Sequence, residues 1–165
     1  MKMLKNLIMA VCVVGAIAST NAQTKENDIP VENLPPAVKE VLVKYVSILR
    51  NSKTLDECAT AFTEIAGGTL VNDDGKSLRS GTKQFGLKKD YNDIKVYADP
   101  IVITRVNATP SNGQGYGASK IRGMVYKIWI QKKDPALGMP APVSIMVPEG
   151  HAQITTPKVI NVGSY

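Results

Sequence analysis

The sequence predicts an α+β protein in which an N-terminal helical hairpin packs on one face of a bent antiparallel sheet of about four to five strands. Three observations support this fold class. Apolar residues recur at helical spacing between Val38 and Ala66, apolar and polar residues alternate after Ile94, and segments rich in Gly and Pro separate the later strands. Helices that precede antiparallel strands are typical of a layout with the helices on one sheet face.

Two amphipathic helices are predicted at the start of the domain. The first begins at Asn33 to Pro36, because Pro is tolerated in the first turn of a helix. The second begins with the capping box Thr54-Leu-Asp-Glu57 and ends at Gly67-Gly68. Their apolar stripes are Val38, Val41, Leu42, Tyr45, Ile48 and Leu49 in the first, and Leu55, Cys58, Ala59, Phe62, Ile65 and Ala66 in the second.

The remaining elements are predicted from alternation and turn residues. We expect a short strand at 69–71, a short helix at 87–93, a long strand at 94–107 bent at Pro100, a glycine-rich hairpin connection at 109–118, a central strand at 119–132, a proline-rich loop at 133–142, and two final strands near 143–147 and 158–163.

The central strand has two different faces. Its even positions form an apolar row that we expect to face the helices: Met124, Tyr126, Ile128 and Ile130. On the other face, Ile121, Val125 and Trp129 are predicted to form an apolar patch that contacts a second copy of the chain or an envelope protein partner. The alternative for Trp129 is burial under the loop at 133–142.

The N-terminus has the pattern of a cleavable signal peptide at residues 1–22. Lys2 and Lys5 precede an apolar run of 12 residues, which is too short to span a bilayer, and cleavage is expected after Ala22. A lipoprotein anchor at Cys12 is disfavoured, because Val11 is not a small residue. Residues 23–33 are predicted to be a flexible lead-in and residues 34–165 a single domain, which is periplasmic or secreted and not membrane-spanning.

The charged and reactive residues exclude several functions. Residues 75–133 carry twelve basic and three acidic side chains; this bias fits either a solvated sheet edge or a surface for anionic ligands, and export disfavours nucleic acid as a partner. One His and one mature Cys do not make a zinc site, so no metal, cofactor or catalytic residue is predicted. A Cys58–His151 dyad is disfavoured, because Cys58 belongs to an apolar helical stripe.

The order of elements resembles the nuclear-transport-factor-2-like (cystatin-like) superfamily. The resemblance lies in Leu42-Val-Lys-Tyr-Val-Ser-Ile-Leu49, in the capped second helix, and in Pro157-Lys-Val-Ile-Asn-Val-Gly-Ser164. It implies a cone-like sheet wrapped around the helices, with any cavity between the helices and the concave sheet face. The residues predicted to line such a cavity and to bind a polar or anionic small molecule are Tyr45, Tyr97, Arg105 and Tyr126. The alternative is that the tyrosines belong to the core and Arg105 is a satisfied charge at a strand end.

Together these features predict an exported, non-catalytic binding or interaction module of the cell envelope. The alternative is a small-molecule enzyme of the ketosteroid-isomerase or polyketide-cyclase-like type. A deep cavity with an inward carboxylate or His would favour the enzyme, whereas a cone filled by apolar side chains would favour the binding module. From the sequence, Asp99 and His151 are poorly placed for acid–base chemistry.

Overall fold

The computed structural model describes residues 27–164, and the predicted signal peptide lies outside this part of the chain. The described part confirms the predicted α+β class. Its helices are α1 (Pro36–Asn51), α2 (Leu55–Thr63) and α3 (Lys88–Asp93), and its strands are β1 (Asp28–Ile29), β2 (Ile103–Gln114), β3 (Ile121–Ile130), β4 (Pro142–Pro148) and β5 (Lys158–Asn161). The strands form one antiparallel sheet in the order β1-β2-β3-β4-β5. Among residues 27–164, none of the helices has the length and apolar composition needed to cross a membrane.

The helical hairpin forms as its capping residues predict. Pro36 occupies the first position of α1, where a missing N–H costs little. The Thr54 side chain accepts a hydrogen bond from the Glu57 backbone N–H at 3.2 Å, and the Glu57 carboxylate accepts one from the Lys53 N–H at 2.9 Å. The Thr54 contact satisfies a backbone donor that the first turn of α2 leaves without a partner, and the Glu57 contact holds the residue before the N-cap in place.

One face of the sheet packs on the helices, and side chains fill the space between them. Tyr45 and Phe62 are fully buried, with ring centroids 5.2 Å apart, and they belong to the same apolar cluster as Ile128 and Ile130 of β3. Tyr126 packs against the edge of this cluster. The prediction that Tyr126, Ile128 and Ile130 face the helices is therefore confirmed.

Three predicted boundaries on the first half of the sheet are wrong. Ile94–Val96 forms a 3-10 turn, so β2 begins only at Ile103, and it continues through the segment predicted to be a loop. Part of the predicted flexible lead-in forms β1, which pairs with Val106 and Asn107. For β1 and for the end of β2, pairing with a neighbouring strand outweighs local composition, as is usual for strands.

Pro110 is tolerated within β2 because of the direction in which its nitrogen points. The Ala108 N–H donates to the Asn27 carbonyl, on the edge of β2 that faces away from β3. In a strand, the direction of the backbone N–H repeats every two residues. The nitrogen of Pro110 therefore also points away from β3, so its missing N–H removes no hydrogen bond between β2 and β3. Pro at such an edge position is compatible with a strand and discourages pairing with another chain.

Beyond the helices, the sheet curls around a second, smaller apolar cluster. This cluster consists of Ile121, Val125, Met146 and Ile160 on the face opposite the main core. The chain after α2 runs beside β5, where the Gly67 N–H donates to the Val159 carbonyl at 2.9 Å. Gly68 then approaches the end of β2: a Cβ built on Gly115 would lie 2.8 Å from the Gly68 carbonyl. The sheet is not closed, but this contact between two glycines narrows its open side.

The segment at 69–71 is not the predicted strand. Residues Gly68–Leu70 form a 3-10 turn, and only Val71 makes an isolated bridge, with Leu78. Gly68 has φ +60°, a conformation that glycine adopts at little cost. The Gly67-Gly68 pair therefore allows close approach of two backbones, whereas the prediction that it ends the second helix is wrong, because α2 ends at Thr63.

Candidate functional site

The three predicted ligand-binding tyrosines lie in or at the edge of the filled core. Tyr45 is fully buried and its hydroxyl donates to the Asp90 carboxylate at 2.6 Å. Tyr97 is 1% exposed, and burial raises the pKa of its phenol. Tyr126 is half-buried against the same cluster. This arrangement matches the alternative interpretation of the tyrosines as core residues.

Arg105 lies on the opposite face of the sheet, so the prediction that it points toward the helices is wrong. Ile103 pairs with Ile130, but Arg105 pairs with Trp129, and this register shift marks an irregularity in β2. A bulge of one residue reverses the faces of the residues that follow it. Arg105 instead donates to the Asp28 carboxylate from Nε at 3.0 Å and from Nη2 at 2.9 Å.

The predicted apolar interface patch is wrong for two of its three residues. Ile121 is 1% exposed and Val125 is 7% exposed, because both belong to the second apolar cluster. Trp129 is half-buried, pairs with Pro142 at the end of the predicted loop, and has the Arg105 guanidinium 4.5 Å from its ring centroid. The predicted contact with a second copy of the chain stays a prediction.

A row of polar residues crosses all five strands on this outer face. Residues opposite each other in antiparallel strands have Cβ atoms about 4.5–5.5 Å apart and point to the same side. The registers give one continuous transverse row: Asp28, Asn107, Lys127, Ser144 and Asn161. We call this set the polar row.

The polar row opens into a groove of about 420 Å³, which is within the range of small-molecule sites, about 300–1,000 Å³. Its floor is apolar where Val125 and Ile160 of the second cluster meet it. Its walls carry hydroxyl, amide and amine groups. The lining residues are Thr69, Thr109, Pro110, Ser111, Gln114, Val125, Lys127, Ser144, Ile160 and Asn161. We call this feature the outer groove.

Lys127 is the one charged residue among those that line the outer groove. It forms no ion pair with any residue between 27 and 164. Asp28 is in the same polar row, but its carboxylate accepts from Arg105 and from the Asn107 amide at 3.4 Å. The positive charge of Lys127 is therefore not neutralised by the acidic residue nearest to it in the polar row.

Ser144 is the most buried polar residue of the outer groove. It is 4% exposed, and its hydroxyl makes no hydrogen bond with another residue of the described chain. Lys127 and Asn161 are its partners on the two neighbouring strands. The hydroxyl oxygen is not among the fully enclosed unpaired polar atoms of the described chain, so it stays accessible from the groove and can pair with a bound molecule.

Other clefts are less suited to a preformed site. In the cleft beside α2, Lys83 pairs with Asp56 and Arg79 pairs with Asp73, so most of its charges are already compensated. The cleft of about 650 Å³ beside Pro135–Leu137 is walled mainly by an exposed loop. Sites on strands hold their side chains more rigidly than sites on loops.

The reactive side chains have structural partners. Burial raises the pKa of the Cys58 thiol to about 11, as expected for a cysteine within an apolar stripe. His151 Nδ1 accepts from the backbone N–H groups of Gln153 and Ile154 at 3.1 and 2.8 Å, which organises the turn before β5. Within residues 27–164, no three His, Cys, Asp or Glu side chains are grouped so as to hold a metal ion.

Several of these residues were not identified from the sequence. The signal for Lys127 was its position within an otherwise apolar or neutral row of the central strand. Ser144 and Asn161 are unremarkable in sequence, because only strand register brings them beside Lys127. Asp90 was also missed, since a single Asp in a short polar helix gives no indication that it is buried.

A scan against protein-family models, a search of curated proteins and a search of solved structures each found no match. The geometry of the outer groove is therefore the basis for assigning a function.

Proposed function

We propose that the protein is an exported, non-catalytic binding module of the cell envelope, of the nuclear-transport-factor-2-like kind, which binds a polar small molecule in the outer groove. One observation carries this proposal: Ser144 is 4% exposed, and its accessible hydroxyl lines the groove without a partner in the described chain. A bound molecule that hydrogen-bonds to Ser144 would satisfy a group that otherwise has only solvent as a partner.

The backbone around the outer groove supports binding without rearrangement. Lys127, Ser144 and Asn161 stand on three consecutive paired strands. Pairing on both sides limits the motion of β4, so Ser144 is held in position before a ligand arrives. Preorganisation of this kind reduces the entropy lost on binding.

The enzymatic alternative has less support. An enzyme of the ketosteroid-isomerase or polyketide-cyclase-like type would present a carboxylate or His to a substrate inside the cone. Asp90 is the buried carboxylate on the helix side, and its Oδ2 accepts from the Tyr45 hydroxyl and from the Gly163 N–H at 2.8 Å. Its partners therefore suit a role in joining α1, α3 and the C-terminal segment.

Export is part of the proposal and is supported by the signal-peptide pattern of residues 1–22. Expression of the full chain in a bacterium with two membranes, followed by fractionation and N-terminal sequencing, tests it. We expect the protein in the periplasm or medium with residue 23 at its N-terminus. An uncleaved chain in the cytoplasm would contradict export.

Binding is tested by a thermal-shift screen of the purified protein against sugars, sugar acids, amino acids and organic phosphates. Hits are then compared between Ser144→Ala and the control Ser47→Ala, which changes an exposed serine on α1. We expect at least one hit whose affinity falls in Ser144→Ala and is unchanged in Ser47→Ala. Equal affinity in the two variants, or no hit, would refute binding at the outer groove.

Self-association is a second proposal, supported by apolar exposure in the connection between β3 and β4, which leads to Pro142 opposite Trp129. Leu137 is 49% exposed and Met139 is 90% exposed in the connection between β3 and β4. Light scattering on the purified protein and on Trp129→Ala and Met139→Ser tests whether a second copy covers this surface. We expect a dimer that both substitutions weaken; a monomer in all three samples would refute it.

A further inference from the structure

We propose that the ligand of the outer groove is an acidic saccharide, that is, a sugar unit carrying one carboxylate beside several hydroxyls. This inference depends on the proposed function, since it assigns a ligand class to the same groove. The charge, the polar lining and the apolar floor of the groove each support it.

The charge of the groove favours a ligand with one negative charge. Lys127 is the single charged lining residue, and no carboxylate lines the groove to compete for it. Arg105 occupies both oxygens of Asp28, which keeps that acid from neutralising Lys127. The wider segment 75–133, with its nine net positive charges, further favours an anion.

The polar lining favours hydroxyl groups over a bare inorganic anion. Hydroxyls and amides both donate and accept hydrogen bonds, and the groove has six of them: Thr69, Thr109, Ser111, Gln114, Ser144 and Asn161. Phosphate and sulfate accept hydrogen bonds almost exclusively, so they can pair with the donors of these side chains. The hydroxyl and amide oxygens of the same side chains, which also accept hydrogen bonds, would then have no partner in the ligand. Sugar hydroxyls donate and accept and can pair with both.

The floor of the groove favours a molecule that also has an apolar surface. Val125 and Ile160 are 7% and 8% exposed, and they present aliphatic carbons beneath the polar walls. A pyranose ring has C–H faces that can cover such carbons while its edge hydroxyls reach the walls. A small amino acid or an inorganic ion would leave this surface uncovered.

Strand geometry gives an orientation for the saccharide. Lys127, Ser144 and Asn161 form one end of the groove, where the carboxylate pairs with the Lys127 ammonium and accepts from Ser144 and Asn161. The Thr109 row, opposite Val125, lies two residues away, which is about 7 Å along the strand. Sugar hydroxyls that extend from the carboxylate therefore reach Thr109 and then Ser111.

Titration with D-glucuronate, its neutral methyl ester and D-glucose tests the ligand class. Trp129, the single tryptophan of the chain, is two residues from Lys127 on the same face and serves as a fluorescence reporter. Calorimetry provides a readout independent of Trp129. We expect glucuronate to bind, and the ester and glucose to bind about 10-fold to 100-fold more weakly because they lack the charge-assisted contact. A uronate tetrasaccharide, titrated in parallel, distinguishes a free sugar acid from a polysaccharide as the source.

The variant Lys127→Gln removes the charge, and Lys39→Gln is the control, because Lys39 is an exposed lysine on α1. We expect Lys127→Gln to weaken glucuronate binding about tenfold or more while Lys39→Gln binds like the unmodified protein. Equal binding of glucuronate and glucose, no effect of Lys127→Gln, or no binding of glucuronate would each overturn the inference. If the inference is overturned, another compound from the thermal-shift screen whose affinity falls in Ser144→Ala would still support the proposed function.

Discussion

The hydrogen bond between Tyr45 and Asp90 is the contact whose removal tests the core assignment most directly. Tyr45→Phe removes one hydroxyl, keeps the ring that packs on Phe62, and leaves the Asp90 carboxylate with the Gly163 N–H as a donor. A hydrogen bond to a charged group contributes about 1.5–3 kcal/mol, and its loss is costly when the acceptor stays buried. Asp90 is 2% exposed. We therefore expect the free energy of unfolding to fall by about 2 kcal/mol.

Urea unfolding and thermal melting measure this change, with Tyr91→Phe as the matched control. The Tyr91 hydroxyl donates to the Ser52 carbonyl at 3.1 Å in a half-buried position. This bond is neutral, so its loss should cost about 0.5–1.5 kcal/mol. For a domain of this size, 2 kcal/mol corresponds to a decrease in Tm of about 6–8 °C. A loss in Tyr45→Phe no larger than that in Tyr91→Phe would refute the reasoning.

Tyr45→Phe also separates the two interpretations of function. Tyr45 was predicted to bind a ligand inside the cone, whereas the structure has it bonded to Asp90 within the main core. If the outer groove is the binding site, the affinity for glucuronate should be unchanged in Tyr45→Phe once the protein is folded. A loss of affinity without unfolding would favour a site on the helix side of the sheet.

Three further changes have expected outcomes. Burial raises the pKa of the Cys58 thiol from 9.0 to about 11, so the contribution of the protonated thiol to stability is full below pH 9 and is lost as the pH rises from 9 to 11. In urea unfolding, the free energy of unfolding should therefore fall by about 2 kcal/mol more by pH 11 in the unmodified protein than in Cys58→Ala. Parallel pH profiles of the two proteins would contradict this. Thr54→Ala removes the cap of α2 and should lower the free energy of unfolding by about 1 kcal/mol in the same assay, whereas no change would contradict a stabilising cap. Gly68→Ala introduces a Cβ at φ +60° that lies 3.0 Å from Gln114 Cβ. It should lower the free energy of unfolding by about 1–3 kcal/mol and weaken ligand binding in calorimetry. Gly138→Ala, where nothing lies within 4 Å of the added Cβ, is the control for backbone strain alone.

The helical hairpin could be predicted because its signals are local. The capping box at Thr54 and the apolar stripe from Val38 to Leu49 depend on residues within a few turns of each other. Alternation in β3 likewise assigned its two faces correctly, since Ile128 faces the helices and Trp129 does not. Local periodicity specifies secondary structure and the face that each residue occupies, within one element.

The end of β2 could not be predicted from composition. The stretch from Thr109 to Gln114 contains Pro and Gly and was assigned to a loop, but it pairs with β3 as far as Gln114. Pairing is possible because the nitrogen of Pro110 points away from β3. The direction of that nitrogen depends on register, which is set by residues in a different strand.

The position of Arg105 was wrong for the same physical reason. Strict alternation from Ile101 assigns Arg105 to the helix side, and the irregularity after Ile103 reverses the assignment. A bulge depends on how two strands fit together and has no sequence signature of its own here. The site was therefore sought on the wrong face of the sheet, although one of the residues that line the outer groove, Val125, had been singled out for a different role.

The outer groove depends on long-range contacts that connect distant parts of the chain. The approach of Gly68 to Gly115 narrows the open side of the sheet next to Thr69 and Gln114, which line the outer groove. On the same face of the sheet, Asp28 pairs with Arg105, and Lys127 has no acidic partner in the described chain. Lys127 is itself an exposed residue, so its attraction for an anion should weaken as the ionic strength rises. The groove and the separation of Lys127 from acidic side chains both depend on strand register and on contacts between distant segments, and neither one is visible in any single segment of the sequence.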